Sequence, residues 1–269
     1  MDISIIIVNY KSKGLTLNCL KSIEEADFGD LHKEVIVVDN NSDETIGEII
    51  AWQYPKTIFI QSEKNLGMGG GNNLGLRRAS GDYLFIMNPD TMAFPDMFTE
   101  LYCLMEEDKE IGLAGPKQFN PDQSVQDSAY RWHNLLTPFY RRTFLGKLPF
   151  GKKALDNFLT RDFKKDSVTE VDWLLGSCLC LRRKAWEEVG GFDERFFLYF
   201  EDTDLARRFW VKGWKVVYCP QAKVIHNHNR QSAAKPWYTS PFNSAGRQHI
   251  LSWLKYLKKW GLKNPANRV

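Results

Sequence analysis

The sequence predicts an α/β protein with a Rossmann-like, mostly parallel central sheet flanked by helices and a C-terminal amphipathic helical tail. Two observations predict it: short β-branched runs alternate with helical patterns through the first third, and each run ends in polar or acidic residues. Strand, helix, strand in that rhythm implies a parallel sheet covered on both faces. Residues 3–8 read as the first strand and 15–23 as a helix, with apolar residues at helical spacing. A strand at 35–38 follows, then a helix over 44–52 that Ser42 or Asp43 would cap. Strands at 57–60 and 83–87 enclose a Gly/Asn-rich loop and a short helix at 73–79. Periodicity fades over 119–166, where the basic, aromatic, Gly/Pro-broken stretch 141–153 reads as a mobile loop. Order returns with a strand at 171–181, helices near 184–189 and 201–211, the second stopped by Gly213, and a strand at 215–218. Residues 247–263 read as a separate amphipathic helix. There are no internal repeats or low-complexity tracts, and residues 1–235 read as one domain, with halves at about 1–118 and 119–235, and 236–269 as an extension.

The 269 residues, 43% of them hydrophobic, suffice for a large core, which excludes disorder and fibrous structure. The 36 basic and 33 acidic residues leave a net charge of +3, too small for a nucleic-acid footprint unless clustered. The five cysteines are odd in number, and Cys178 and Cys180 form C-x-C where a zinc ribbon needs C-x-x-C. A reduced, cytoplasmic setting follows. The run Ile5-Ile6-Ile7-Val8 lacks a basic leader and is too short for a signal sequence or a membrane span.

Ligands of parallel sheets bind beyond the carboxyl ends of strands. Asn9-Tyr10 follows the first strand, and Asp39 ends the second. There a carboxylate can hydrogen-bond a ribose or a pyrimidine N–H beside a stacking aromatic ring, or simply open a turn. Asn65-Leu66-Gly67-Met68-Gly69-Gly70-Gly71-Asn72-Asn73 fits neither the dinucleotide fingerprint nor the P-loop. It lets backbone approach a ligand at a helix N-terminus, or serves as a flexible turn. Asn88-Pro89-Asp90 puts a carboxylate where a divalent cation could be held against diphosphate oxygens, and is equally a good turn. In 190–208, Glu201 and Asp202 stand at a helix start behind an aromatic wall that would raise a carboxylate's pKa, with capping as the plainer role. Asp204 with Arg208 is a structural i,i+4 pair.

The ordered set Ser4 to Tyr10, Val38 to Ser42, Asn65-Leu66-Gly67, Asn88-Pro89-Asp90, Gly176-Ser177 with Arg182-Arg183, and Gly191-Phe192-Asp193 to Leu205 resembles family 2 glycosyltransferases of the GT-A fold, rhamnosyltransferase-like branch, over residues 3–230. The resemblance implies an inverting transferase using a nucleotide-diphospho-sugar, with dTDP-rhamnose the leading donor and Mg2+ or Mn2+ as cofactor. It implies that Asp39 and Tyr10, with Asn9, Asn65, Gly67 and Asn88, bind the nucleotide-sugar. Asp90 matches the last residue of the D-x-D metal motif, whose first Asp is here Asn88. Asp202 matches the catalytic base, and His226, with His228 a close second, a further metal contact. Trp173, Gly176, Ser177 and Glu201 would border a saccharide or polyprenyl-linked acceptor.

At the terminus, Ile250, Leu254, Leu257 and Gly261 follow helical spacing, interleaved with Lys255, Lys258, Lys259 and Lys263. Such a helix suits an anionic membrane surface, with packing on the domain or homodimerisation as alternatives. Two other functions remain: a nucleotidyltransferase, which would want a basic Gly-rich segment behind the first strand, and a non-catalytic binding module, against which both Asp90 and Asp202 argue.

Overall fold

The computed structural model describes residues 1–42, 45–163, 165–227 and 244–261. In chain order the first half comprises β1 (Ile3–Asn9), α1 (Lys13–Glu24), β2 (Lys33–Asp39), α2 (Ile46–Gln53), β3 (Ile58–Gln61), α3 (Gly67–Arg78), β4 (Tyr83–Met87), β5 (Thr91–Ala93), α4 (Met97–Glu107) and β6 (Ile111–Phe119). The second half comprises β7 (Val125–Gln126), β8 (Ala129–Tyr130), α5 (Thr137–Arg142), a 3-10 turn (Phe144–Lys147), α6 (Pro149–Phe158), β9 (Thr169–Glu170), β10 (Trp173–Leu174), β11 (Cys178–Arg182), α7 (Arg183–Val189), α8 (Glu201–Val211), β12 (Lys215–His226) and α9 (Ser244–Trp260).

The main sheet runs β3-β2-β1-β4-β11-β6-β12-β5. The four strands from β3 to β4 are parallel, β11 is antiparallel to both its neighbours, and β12 again runs parallel to β6. β1 is buried along its whole length because both faces are covered. Ile3, Ile5 and Ile7 enter one core layer, Ile6 and Val8 the other, as the two-residue period of a strand requires. Because β6 pairs with both β11 and β12, the two expected halves of the domain share one sheet.

Several expectations are corrected. The Gly/Asn-rich segment is not a loop but the first two turns of α3. Its glycines allow a close approach to the sheet: a Cβ on Gly75 would lie 2.5 Å from Ile6 Cγ2. The stretch 141–153 is not a loop either, because Pro138 and Pro149 occupy first-turn helix positions, where proline starts helices. The strand expected over 171–181 is broken into β10 and β11, with Gly176 and Ser177 between them. β12 runs on past Pro220, its register to β6 shifting between Cys219 and Lys223. Ser42 turns back to Asp39 instead of capping α2, whose N-cap position is Thr45; Asp43 and Glu44 lie outside the described residues.

The tail is not separate. Ser252 and Tyr256 of α9 are buried, Tyr256 packing with Phe196 and Phe200. Lys263, His228 and the division at 235 lie outside the described residues. Four thiols, Cys19, Cys178, Cys180 and Cys219, are buried, whereas Cys103 on α4 is exposed; none forms a disulfide.

Candidate active site at the carboxyl ends of the strands

Asp39 ends β2 and is almost completely buried. Its Oδ1 accepts from Asn9 Nδ2 (2.6 Å) and Ser42 Oγ (2.5 Å), and its Oδ2 from Ser42 N–H (3.1 Å) and Gln61 Nε2 (2.7 Å). Burial pushes its pKa up, but these donations outweigh it and hold the carboxyl below its usual range. All four lone-pair directions are occupied, so a base or ribose donor must displace one partner. Gln61 is the exposed one. Asn9, expected to touch the nucleotide, is fully buried and accepts from Ser12 and Thr16 on its Oδ1, so it holds Asp39 in place. Tyr10 is 44% exposed at the strand end, where a base can stack.

Asn65 and Gly67 form the start of α3. Asn65 Oδ1 accepts from Gly67 N–H (2.9 Å) and from Asn40 Nδ2 (3.1 Å). Asn40, part of the β2-end motif but not singled out by sequence, also accepts from Leu66 N–H and donates to Gly67 O. Gly67 has φ +75°, and Met68 N–H donates to Phe197 O at 2.9 Å, which joins α3 to the segment before α8. Asn73 closes the same seam, pairing with Phe192 through both its donor and its acceptor.

Asn88 N–H donates to Ser177 O (2.8 Å), tying the end of β4 to the start of β11. Asp90 Oδ1 is buried without a hydrogen bond and lies 3.5 Å from His226 Nε2. His226 ends β12, is 2% exposed, and its Nδ1–H donates to Gln126 Oε1 at 2.7 Å. Gln126 Nε2 in turn donates to Asn120, which fixes the amide's orientation. In metal sites an outer-shell partner of this kind fixes the tautomer and the orientation of a histidine ring. Gln126 lies where sequence periodicity had faded, and nothing there flagged it. Among the described residues no group of three or more His, Cys, Asp or Glu could hold a metal.

Glu201 and Asp202 open α8 behind Tyr199 and Phe200, both left-handed at φ +68°. Asp202 Oδ2 accepts from Gly176 N–H at 3.1 Å and Oδ1 from Thr203 N–H at 2.7 Å. Burial raises its pKa and these donations only partly offset it. Glu201, 8% exposed, is pushed up to about 8 by burial and then by its neighbour Asp202, and its Oε2 has no hydrogen-bond partner among the described residues. The pair therefore titrates together, holding a proton near neutrality. Because the folded chain binds that proton more tightly than the unfolded one, the associated stability is complete below the ordinary value of 4.5 and is lost as pH rises through about 8. Glu201→Gln should remove this fall in stability and leave the acidic limb of a pH-rate profile, set by Asp202, in place. Melting temperature and kcat measured across pH check both.

The acceptor-side expectations change. Trp173 is buried, stacked on Tyr130 (4.3 Å) and His133 (5.2 Å), with Nε1 donating to Arg131 O, and is a core residue, not a sugar platform. Ser177 is buried and donates to Gln118, and Gly176 positions Asp202. A cavity of about 440 Å3 lined by Asp82, Tyr83, Glu106, Arg182 and Arg183 lies at the opposite, amino-terminal end of β4, away from this chemistry.

The site thus combines polar hubs that end parallel strands with a buried carboxylate pair. The profile of glycosyl transferase family 2 matches residues 4–163, and the chain belongs to that family. It is 30% identical over 225 residues to the N-acetylglucosaminyl-diphospho-decaprenol L-rhamnosyltransferase of Mycobacterium tuberculosis, covering 75% of this chain and 69% of that protein. It is 29% identical to the rhamnosyltransferase WbbL of Escherichia coli K12 over 89% of this chain and 87% of the relative. The fold matches GalNAc-T7 solved with UDP, GalNAc and Mn2+ (TM-score 0.69, 15% identity, 97% of this chain, 48% of that one). It also matches the mannosyltransferase PcManGT of Pyrobaculum calidifontis with GDP-Man and Mn2+ (TM-score 0.61, 17% identity, 95% and 64%). The chain thus spans about half of the first of these structures, and the two likenesses establish the GT-A fold.

Proposed function

We infer that the chain is an inverting, metal-dependent glycosyltransferase that moves rhamnose from dTDP-rhamnose to a hydroxyl of a saccharide or lipid-linked saccharide during cell-surface polysaccharide synthesis. The observation that carries the reading is Asp202, a carboxylate of raised basicity held by the Gly176 and Thr203 N–H groups at the mouth of a GT-A sheet. The names of the family relatives support the donor sugar and the lipid-linked acceptor.

Asp202 takes the proton from the acceptor hydroxyl as that oxygen attacks the anomeric carbon, and a single displacement inverts its configuration. Asp39, held by Asn9, Ser42 and Gln61, receives the nucleoside, and Tyr10 lies against the base. Asp90 and His226 fit a cation by their chemistry, an unpaired carboxylate oxygen facing an imidazole oriented from behind. Mg2+ or Mn2+ held there would neutralise charge on the departing nucleotide. A thermal-shift screen tests the reading: dTDP-rhamnose with Mn2+ or Mg2+ should raise the melting temperature, and Asp90→Ala should remove the metal-dependent part. A shift produced by NAD alone would overturn it.

An anionic bilayer bearing the acceptor is the partner this reading requires, met from the cytoplasmic side. Phe144 (72% exposed) between α5 and α6 and Phe150 (57%) in α6, with Ile250, Leu251 and Leu254 on α9, are exposed, and Phe139 of α5 touches Trp253 of α9. Lys147, Lys152, Lys153, Lys255 and Lys258 belong to the same segments and are exposed. No helix among the described residues is long and apolar enough to cross a membrane. The surface suits interfacial binding. Flotation with vesicles containing anionic lipid should carry the protein up, and Leu251→Glu with Leu254→Glu should release it.

A further inference from the structure

We propose that α9 is a positioning element for catalysis, whose inner face holds the strained turn that presents Asp202. The proposal rests on the reading of Asp202 as the base.

The turn needs a holder. Tyr199 and Phe200 are consecutive non-glycine residues in the left-handed region, and such backbone persists only where its surroundings over-determine it. The described hydrogen bonds to the carbonyls just ahead of the pair come largely from α9. Ser252 Oγ donates to Leu198 O at 2.7 Å, and Lys255 Nζ to Arg195 O at 2.7 Å. Tyr256 packs into the same cluster as Phe196 and Phe200.

Behind the turn, α9 also holds the first turn of α8. Asp204, two residues past the base, is completely buried. Its Oδ1 accepts from Lys259 Nζ (2.6 Å) and Trp260 Nε1 (2.7 Å), while Oδ2 accepts from Arg208 Nε (2.8 Å). The i,i+4 partner expected from sequence therefore accounts for only half of this carboxylate, and α9 for the other half. Lys259 also reaches Asp193 Oδ2 at 2.7 Å, so one ammonium bridges both ends of the segment 193–204. Arg207 donates to Tyr256 and lies 4.6 Å over the Trp260 ring. A helix turn pinned at Asp204 has little freedom to rotate, and rotation is what would carry the Asp202 carboxylate off the Gly176 N–H. A buried carboxylate deprived of one cation is also left undercompensated, so the clamp is sensitive to single changes.

The other face of α9 carries Leu251 and Leu254, both about half exposed. One helix thus joins the proposed bilayer surface to the catalytic turn.

The test is steady-state transfer by the full chain with Lys259→Met, Lys259→Arg, Trp260→Phe, Ser252→Ala and Asp202→Asn. Lys259→Met should lower kcat at least tenfold, with the donor KM and the donor-induced thermal shift unchanged, and Lys259→Arg should recover most of the loss. Trp260→Phe keeps the ring and removes only its N–H donation, so it should lower kcat less, again without moving KM. If Lys259→Met loses its melting transition, Trp260→Phe and Ser252→Ala decide: unchanged kcat in both overturns the proposal, as does a rise in donor KM that accounts for the whole effect. Asp202→Asn separates the two ideas. Transfer retained in that variant defeats the base reading, whereas transfer lost there but intact in the clamp variants defeats only the role of α9.

Discussion

Asp202→Asn is expected to lower sugar transfer by roughly a thousandfold, the scale of a lost general base, while nucleotide-sugar binding stays intact. The amide preserves the shape of the side chain and can still accept the Gly176 N–H, but it cannot take a proton. The proposed donor site lies at the ends of β1, β2 and β4, in separate elements, so the donor-induced rise in melting temperature should survive. Transfer assayed at saturating donor, beside the thermal shift, distinguishes a chemical loss from a binding loss. A variant that transfers normally would remove Asp202 from the mechanism.

Gly67→Ala is the second large effect, and it acts on structure. The added Cβ would lie 2.3 Å from Phe197 O, a backbone atom that cannot rotate away, and the position has φ +75°. A cost of ~2 kcal/mol or more follows from the steric and backbone terms together. For a chain of this size that is a fall in Tm of roughly 5 °C. Because Phe197 stands just ahead of Tyr199 and Phe200, the same displacement should reach the catalytic turn and reduce kcat. Equilibrium unfolding and transfer assays measure the two consequences; an unaltered Tm would mean that the seam between α3 and this segment yields easily.

The parallel part of the sheet was legible because its strands are continuous apolar runs whose ends change abruptly to polar residues. Asp39, Asp90 and Asp202 were legible as positions for the same reason, each falling at an element boundary, whereas His226 came only from the family resemblance, because the strand that it ends was read as stopping at Tyr218. α3 was not, since five of its first nine residues are glycines, which sequence reads as breakers. Their cost in helix propensity is offset by a close fit to β1 that only the tertiary structure reveals. Pro149 was misread in the opposite direction, as an interruption where it begins α6. Trp173 shows a different limit: a tryptophan that stacks on a sugar and one that stacks on Tyr130 look identical in sequence. The buried hubs around Asp39 and His226 depend on partners such as Gln61 and Gln126, whose amides carry no signal until the strands bring them alongside.

The distribution of the thiols gives the protein a built-in attachment point. Burial pushes Cys19 up to about 12 and raises Cys178, Cys180 and Cys219 as well, so at neutral pH none of the four supplies an appreciable thiolate. A maleimide dye added to the native protein will therefore couple once per chain, at Cys103. That label sits on α4, which packs against β6 and β12, with no cysteine removed by mutagenesis. The wild-type chain is in this sense already a single-cysteine reagent for following the enzyme onto vesicles by fluorescence.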